Sequence, residues 1–246
     1  MGDTPSAMRR FVRTCALTLI LLTVLLTWHG GRQLLAPGHP VPPAGPGQDP
    51  SGGQPREVLP EAEHLVDLAE LAPEIILDLR YARADNILGR PLYEQPRALL
   101  ARGTAHKLIN AAEALRREGW AMVVWDAYRP LSVQRLLWQA MPDPRFVADP
   151  AIGSRHNRAA AVDVTLIRLD GGPLPMPTDF DHFGPEARAD WAGHPQEVRA
   201  VALRLREIMI DSGFFINPDE WWHFSDEEWR RYPLLDLPLD TVVPAP

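Results

Sequence analysis

The sequence predicts an α+β domain with a mostly antiparallel central sheet flanked by helices, and three observations carry that class. Strand-like and helix-like runs are mixed along the chain, without the regular alternation of a doubly wound fold. No glycine-rich phosphate loop joins any strand to a helix, as a dinucleotide fold would need. The composition is that of an ordinary globular domain with something attached: 246 residues, 46% hydrophobic and 23% charged.

The attached part comes first. Residues 1–13 are polar and basic, with Arg9, Arg10 and Arg13, and Thr14 to Trp28 (TCALTLILLTVLLTW) then carry no charge. A basic flank before an apolar stretch shorter than the ~20 residues of a full span reads as a secretory signal or an N-terminal membrane anchor over 1–30. No Ala-x-Ala site follows between Trp28 and Gly31, so cleavage and retention both stay open. Arg9-Arg10 matches a twin-arginine signal poorly. Cys15, the single cysteine, opens the apolar run instead of following it, which argues against lipid attachment and leaves the rest of the chain without an internal disulfide. The expected location is outside the cytoplasm, in the periplasm or anchored to the outer face of the inner membrane. Residues 31–57 are dense in Pro and Gly and cannot bury enough surface to offset their ordering, so they read as a linker. From Val58 to the end roughly 185 residues remain, enough for one core.

Within 58–246 the elements follow from periodicity and punctuation. Ile75 to Tyr81 (IILDLRY) is β-branched and partly alternating, a strand. Thr104 to Glu118 is a helix with Leu108, Ala111, Ala112 and Leu115 on one face, ended by Gly119. Ala121 to Trp125 is a short buried strand, and Asp126 to Pro130 leads to a helix over Val133 to Gln139 that Ser132 is placed to cap. Ala159 to Ile167 alternates, with Val162, Val164 and Leu166 on one side and Asp163 and Thr165 on the other. Gln196 to Asp211 is an amphipathic helix through Val198, Val201, Leu205 and Ile208. Gly213 ends it, and the strand Phe214 to Ile216 follows before a turn at Asn217 to Asp219. The net charge is −7, with no basic stripe outside the N-terminal flank, so no nucleic-acid partner is expected.

The chemistry gathers in three places. His156 lies seven residues before Asp163, and on an ideal strand Ala159, Ala161 and Asp163 share one face. Two tiny side chains there leave space beside a carboxylate that is expensive to bury. A cation is the simplest compensation, and a catalytic zinc takes three ligands from His, Asp or Glu. His223 is the best third ligand, and Glu220 is then a carboxylate beside the metal, able to take and return a proton. Ideal strand geometry sends Glu220 and His223 to opposite faces, so a bulge is required. The same residues also fit a polar cap on a Trp-rich core, and Tyr128-Arg129-Pro130 also fits a turn with a solvated arginine.

Taken together, DAYRP (126–130), SRHNRAAAVD (154–163) and EWWH (220–223) resemble the D-alanyl-D-alanine dipeptidases of the vancomycin-resistance type, within the zinc D-Ala-D-Ala carboxypeptidase superfamily. The likeness runs over most of residues 65–235 and takes in DLRYARADNILG (78–89) and LIRLDGGPLPMPTDFD (166–181). It implies a zinc site on the sheet, with one Zn2+ per chain held by His156, Asp163 and His223. It also implies Glu220 as catalytic base and Arg129 as oxyanion stabiliser. Asp181 is similar to the family's acidic residue near the substrate amine, and Ser154 to a substrate contact. The implied activity is hydrolysis of the small dipeptide D-alanyl-D-alanine, with the membrane touched only through the N-terminal segment. A D,D-carboxypeptidase or endopeptidase on peptidoglycan peptides, or a silent cell-wall-binding module of the same fold, are the competing expectations. Two positions depart from the pattern: Ala159 stands where the family has glycine, and Ile87 where it tends to have phenylalanine.

Overall fold

The computed structural model describes residues 65–240, so the expected signal or anchor over 1–30 and the linker over 31–57 lie outside the described residues. Among the described residues no helix is long and apolar enough to cross a membrane. The central sheet has five strands in the order β2-β4-β5-β7-β6, where β2 is Ile76–Leu77, β4 Trp120–Asp126, β5 Ala161–Arg168, β6 Phe214–Asn217 and β7 Glu220–Asp226. Every neighbouring pair is antiparallel except β2 with β4, so the expected α+β class with a mostly antiparallel sheet is what forms. β4 and β5 are buried along most of their length, consistent with their apolar runs, and β7 is buried throughout although it carries Glu220, His223, Ser225 and Asp226.

Helix α2, Arg102–Arg117, packs on β4 and on α4, Gln196–Asp211. Its buried stripe contains the expected Leu108, Ala111, Ala112 and Leu115, all at 2% exposure or less. α4 has the predicted bounds, and buries Val198, Leu205, Ile208 and Met209 at helical spacing. A second, two-stranded antiparallel sheet of β1, Leu65–Asp67, with β3, Leu99–Ala101, was not expected. Each of these strands has only three residues, too few to show a period. Between them the four-residue helix α1, Leu68–Leu71, is capped by Asp67, whose Oδ1 accepts from the Ala69 amide at 3.0 Å.

Three local expectations are corrected. The strand read over Ile75 to Tyr81 pairs only at Ile76–Leu77, after which the chain tightens into a 3-10 turn over Arg80–Ala82. The turn sends Tyr81 inward, edge-on to Tyr93 and Phe180, which outweighs the residue's β propensity. Helix α3, Leu131–Ala140, starts before Ser132, so Ser132 is no cap. Its own amide is met by Asp236 Oδ1 at 2.6 Å, from the distant C-terminal segment. Ala159 does not share a strand face with Ala161 and Asp163. It has φ 51° and closes a 3-10 turn over His156–Arg158, so the strand begins only at Ala161.

The left-handed backbone at Ala159 is the conformation that favours glycine, and the side chain is fully buried. Ala159→Val therefore costs about 2–4 kcal/mol through the added clash and overpacking. Ala159→Gly stays within about 1 kcal/mol of the parent. Denaturant unfolding of the two variants measures both.

Candidate active site

The site is assembled by register. On β5 and β7, Asp163 and His223 are directly opposite, and on the other side of β5 Asp163 is opposite Asp126 of β4. The β4 pairing shifts at Trp125, since Val124 faces Val164 yet Asp126 faces Asp163. Without that bulge Asp126 would fall opposite Val162, on the other face. A second irregularity lies between β6 and β7, where Ile216 faces Phe224 but the next residue, Asn217, faces Glu220. The required distortion around Glu220 and His223 is thus supplied by β7 bowing out between these two pairs. It leaves Glu220 Oε2 4.0 Å from His223 Nδ1 and 2.7 Å from its donor Asn217 Nδ2.

His156 arrives from the 3-10 turn before β5, not from the sheet itself. The turn is tied by the Ser154 amide to Asn157 Oδ1 at 2.7 Å and the His156 amide to Ser154 Oγ at 3.2 Å. It is locked to the end of β4 because Asn157 Nδ2 donates to the Arg129 carbonyl at 2.7 Å and the Arg129 amide to the His156 carbonyl at 3.2 Å. His156, Asp163 and His223 are all buried, and one ligand atom from each lies within 4.8 Å of the others.

The donor set fits a metal ion. His156 Nδ1 is 2.7 Å from the Ala127 carbonyl, which only accepts, so Nδ1 carries the hydrogen and Nε2 presents its lone pair inward. That Nε2 is 3.1 Å from His223 Nδ1, whose ring is held from behind by Ser225 Oγ at 3.0 Å from Nε2. Asp163 Oδ1 lies 3.0 Å from His223 Nδ1, and Oδ2 3.4 Å from His156 Nε2. Two inward nitrogens and a carboxylate converge, with the outer nitrogens hydrogen-bonded as ligating imidazoles are. Burial would raise the Asp163 carboxyl, but His156 and His223 outweigh it and hold it well below the ordinary range.

Around this triad negative charge is in excess. Burial first, then the charges of Asp163 and Asp181, push the Glu220 carboxyl well above the ordinary range, against the pull of Asn217 and Arg129. Burial, with Asp163, pushes Asp181 up to about 7 despite Arg129 and a 3.2 Å hydrogen bond from Tyr81 Oη. Arg129 is buried, not solvated. Its Nε and Nη2 donate to Asp126 Oδ2 at 2.9 and 2.7 Å, and its Nη1 to Gln134 Oε1 at 3.0 Å. Nη2 also lies 3.7 Å from Asp163 Oδ2, so the guanidinium turns one edge toward the triad. A divalent cation would relieve the crowding of Asp163, Asp181 and Glu220.

Every predicted site residue lines one cavity of about 470 Å³: Ser154, His156, Asp163, Asp181, Glu220 and His223, together with Arg129. Trp222, 1% exposed, walls it, and Trp221 stacks edge-on behind with its Nε1 on Thr178 Oγ1 at 2.9 Å. Ile87 also lines it, so the departure there changes a wall of the cavity and not its polar groups. Sequence reasoning missed the roles of Asp126, Gln134, Tyr81 and Asn217. The carboxylate three residues before Arg129, at the end of an apolar strand, was the one available sign of the first.

A buried His-Asp-His cluster beside a glutamate and an oriented arginine, in a cavity, is the apparatus of a metal-dependent hydrolase. The chain belongs to the D-ala-D-ala dipeptidase family, whose model matches residues 61–234. It is 38% identical over 175 residues to a D-alanyl-D-alanine dipeptidase of Escherichia coli, covering 71% of this chain and 91% of that protein. It is 31% identical over 178 residues to a D-alanyl-D-alanine dipeptidase of Enterococcus faecium, covering 64% of this chain and 88% of that one. Among solved structures, VanYB in complex with D-alanine-D-alanine matches at TM-score 0.36 and 17% identity, over 55% of this chain and 76% of that one.

Asp126 is at 0% exposure and is the carboxylate partner of Arg129. Asp126→Ala therefore strands a buried cation and lowers stability by about 3–5 kcal/mol, read by urea denaturation. Gln134→Ala, which leaves the Asp126 pair intact, costs only about 1–3 kcal/mol.

Proposed function

We propose that the chain is a zinc-dependent D-alanyl-D-alanine dipeptidase holding one Zn2+ through His156 Nε2, Asp163 and His223 Nδ1. The observation that carries this is the convergence of those three donors with Glu220 poised 4.0 Å from His223, in a chain whose family relatives are named for that activity. Bound there, zinc supplies Lewis acidity toward a water molecule and a peptide carbonyl.

The chain's own groups do the rest. Glu220, desolvated and held by Asn217, is placed to take the proton of the attacking water on a carboxylate oxygen. It then hands that proton to the departing D-alanine nitrogen as the peptide bond breaks, so one residue serves as base and then acid. Arg129 keeps an unused N–H on Nη2, the nitrogen nearest Asp163, and opposes the charge that develops on the carbonyl oxygen. Its clamp by Asp126 and Gln134 fixes the guanidinium before the reaction, which spares reorganisation. Asp181 takes the substrate's ammonium group. Among the described residues its buried Oδ2 has no hydrogen-bond partner, and a cation at that point restores the ionised form that burial disfavours. Ser154 keeps its hydroxyl hydrogen for the substrate, since Oγ only accepts from the His156 amide. The tryptophan wall keeps bulk water from the proton in transit.

The N-terminal sequence supports export, with the catalytic domain over 58–246 acting outside the cytoplasm after a linker over 31–57. Membrane contact is then confined to residues 1–30.

Free D-alanyl-D-alanine is expected to be cleaved at least roughly 10-fold more efficiently than its N-acetylated form, because acylation removes the cation that Asp181 pairs with. A preference for the blocked peptide assigns the site to a D,D-carboxypeptidase instead. Glu220→Ala retains zinc and loses roughly 10²- to 10⁴-fold in kcat, whereas His223→Ala loses the metal as well. Metal analysis of the purified variants separates the two roles, and equal zinc loss in both contradicts Glu220 as base.

A further inference from the structure

Among the charged groups lining the cavity that the mechanism above does not use is Arg155, which stands between Ser154 and His156. Its guanidinium carbon lies 5.0 Å from the Phe215 ring centroid and 5.1 Å from that of Trp229. The side chain is half-buried, its Nε is fully buried, and among the described residues Nε has no hydrogen-bond partner. Among the described residues Arg155 forms no ion pair. Burial, and then the charge of Arg230, disfavour its charged form.

The contrast with the neighbouring arginines is informative. Arg129 spends three of its donors on Asp126 and Gln134. Arg158, also over Trp229, donates to the Tyr232 carbonyl at 2.5 Å. Arg155 alone of these three is held by aromatic rings and left with its polar edge unspent. Stacking fixes the plane of a guanidinium without using its N–H groups, which readies it for a planar anion.

The opposite orphan completes the pattern. Three buried side-chain polar atoms lack a partner among the described residues: Arg80 Nε, Arg155 Nε and Asp181 Oδ2. The last two belong to residues of this one cavity and carry opposite charge. A ligand that satisfies both is a zwitterion with its ammonium and carboxylate at separate ends, which describes a free dipeptide.

We propose that Arg155 binds the α-carboxylate of the dipeptide and so sets the requirement for a free C-terminus. The proposal rests on the dipeptidase reading and deepens it, since Asp181 then selects the amino end and Arg155 the carboxyl end. Together they exclude longer peptides at either side.

The test is binding of D-alanyl-D-alanine and of its C-terminal amide, by calorimetry, to the full zinc-loaded chain carrying Glu220→Gln to halt turnover. This parent is expected to bind the acid roughly 10- to 100-fold more tightly than the amide, the range of one charge-assisted contact. Adding Arg155→Met brings acid and amide to equal affinity, and Arg155→Lys restores part of the difference. Retained zinc content and an unchanged melting temperature show that each variant is folded, and Arg155→Lys decides the matter if Arg155→Met is not. A parent that binds acid and amide alike overturns the proposal, as does Arg155→Met keeping the full preference. Either result, with the Glu220-intact chain cleaving the dipeptide, overturns the role of Arg155 alone. A chain that neither binds nor cleaves the dipeptide overturns the dipeptidase reading and this inference with it.

Discussion

The register between β4, β5 and β7 is the constraint on which the site depends. It sets Asp126, Asp163 and His223 in one row across three neighbouring strands. Strand side chains alternate faces, so a slip of one residue would turn any member of the row away. Both departures from regular pairing serve this row. The bulge at Trp125 brings Asp126 opposite Asp163, and the bowing of β7 after Asn217 brings Glu220 to the side of His223. Irregular pairing costs ladder hydrogen bonds, and here it is confined to the positions where polar groups must be re-aimed.

Once aligned, the row creates an electrostatic problem that the surroundings only half solve. Four carboxylates, those of Asp126, Asp163, Asp181 and Glu220, stand near the buried Arg129. Asp126 and Arg129 neutralise each other, with Arg129 Nε and Nη2 both donating to Asp126 Oδ2 while Tyr93 Oη donates to Oδ1 at 2.7 Å. The remaining three carboxylates face one cavity, and two of them, Asp181 and Glu220, are pushed toward protonation. Positive charge at the triad or beside Asp181 would relieve that crowding, and perturbed carboxylates of this kind gather at functional sites.

What could be read from the sequence and what could not divides along physical lines. The helices over Arg102–Arg117 and Gln196–Asp211 were legible because each shows several turns of a 3.6-residue period. β5 was legible because Asp163 and Thr165 interrupt a valine-rich alternation. β1 and β3 were not, since a three-residue strand carries no period and forms only because its partner is there. The candidate metal-binding residues were legible as a set through the resemblance, whereas spacing alone left a polar cap equally open. Their geometry was hidden, because whether Glu220 and His223 meet depends on pairing with Asn217 and Asp163, residues near in space and not in spacing. Arg155 escaped for another reason: its distinction is the lack of a partner, and no sequence shows what a side chain fails to touch.

Backbone strain falls where the site needs it. Among the described residues two non-glycine positions have positive φ, Ala159 at 51° and Asp181 at 53°. One closes the turn that carries His156, and the other is a buried carboxylate lining the same cavity. Left-handed backbone costs an ordinary residue about 1–2 kcal/mol, so it persists only where neighbouring bonds leave no alternative. At Ala159 they do: its amide donates to the His156 carbonyl at 3.0 Å, and its carbonyl accepts from the Ala101 amide at 2.9 Å. The turn is thereby held from both ends, between His156 and the start of α2. A glycine would reach the same φ more easily, but would also allow the turn to open. Alanine at this position trades a small strain for a narrower choice of backbone, and His156 Nε2 stays directed at its two partners on the sheet.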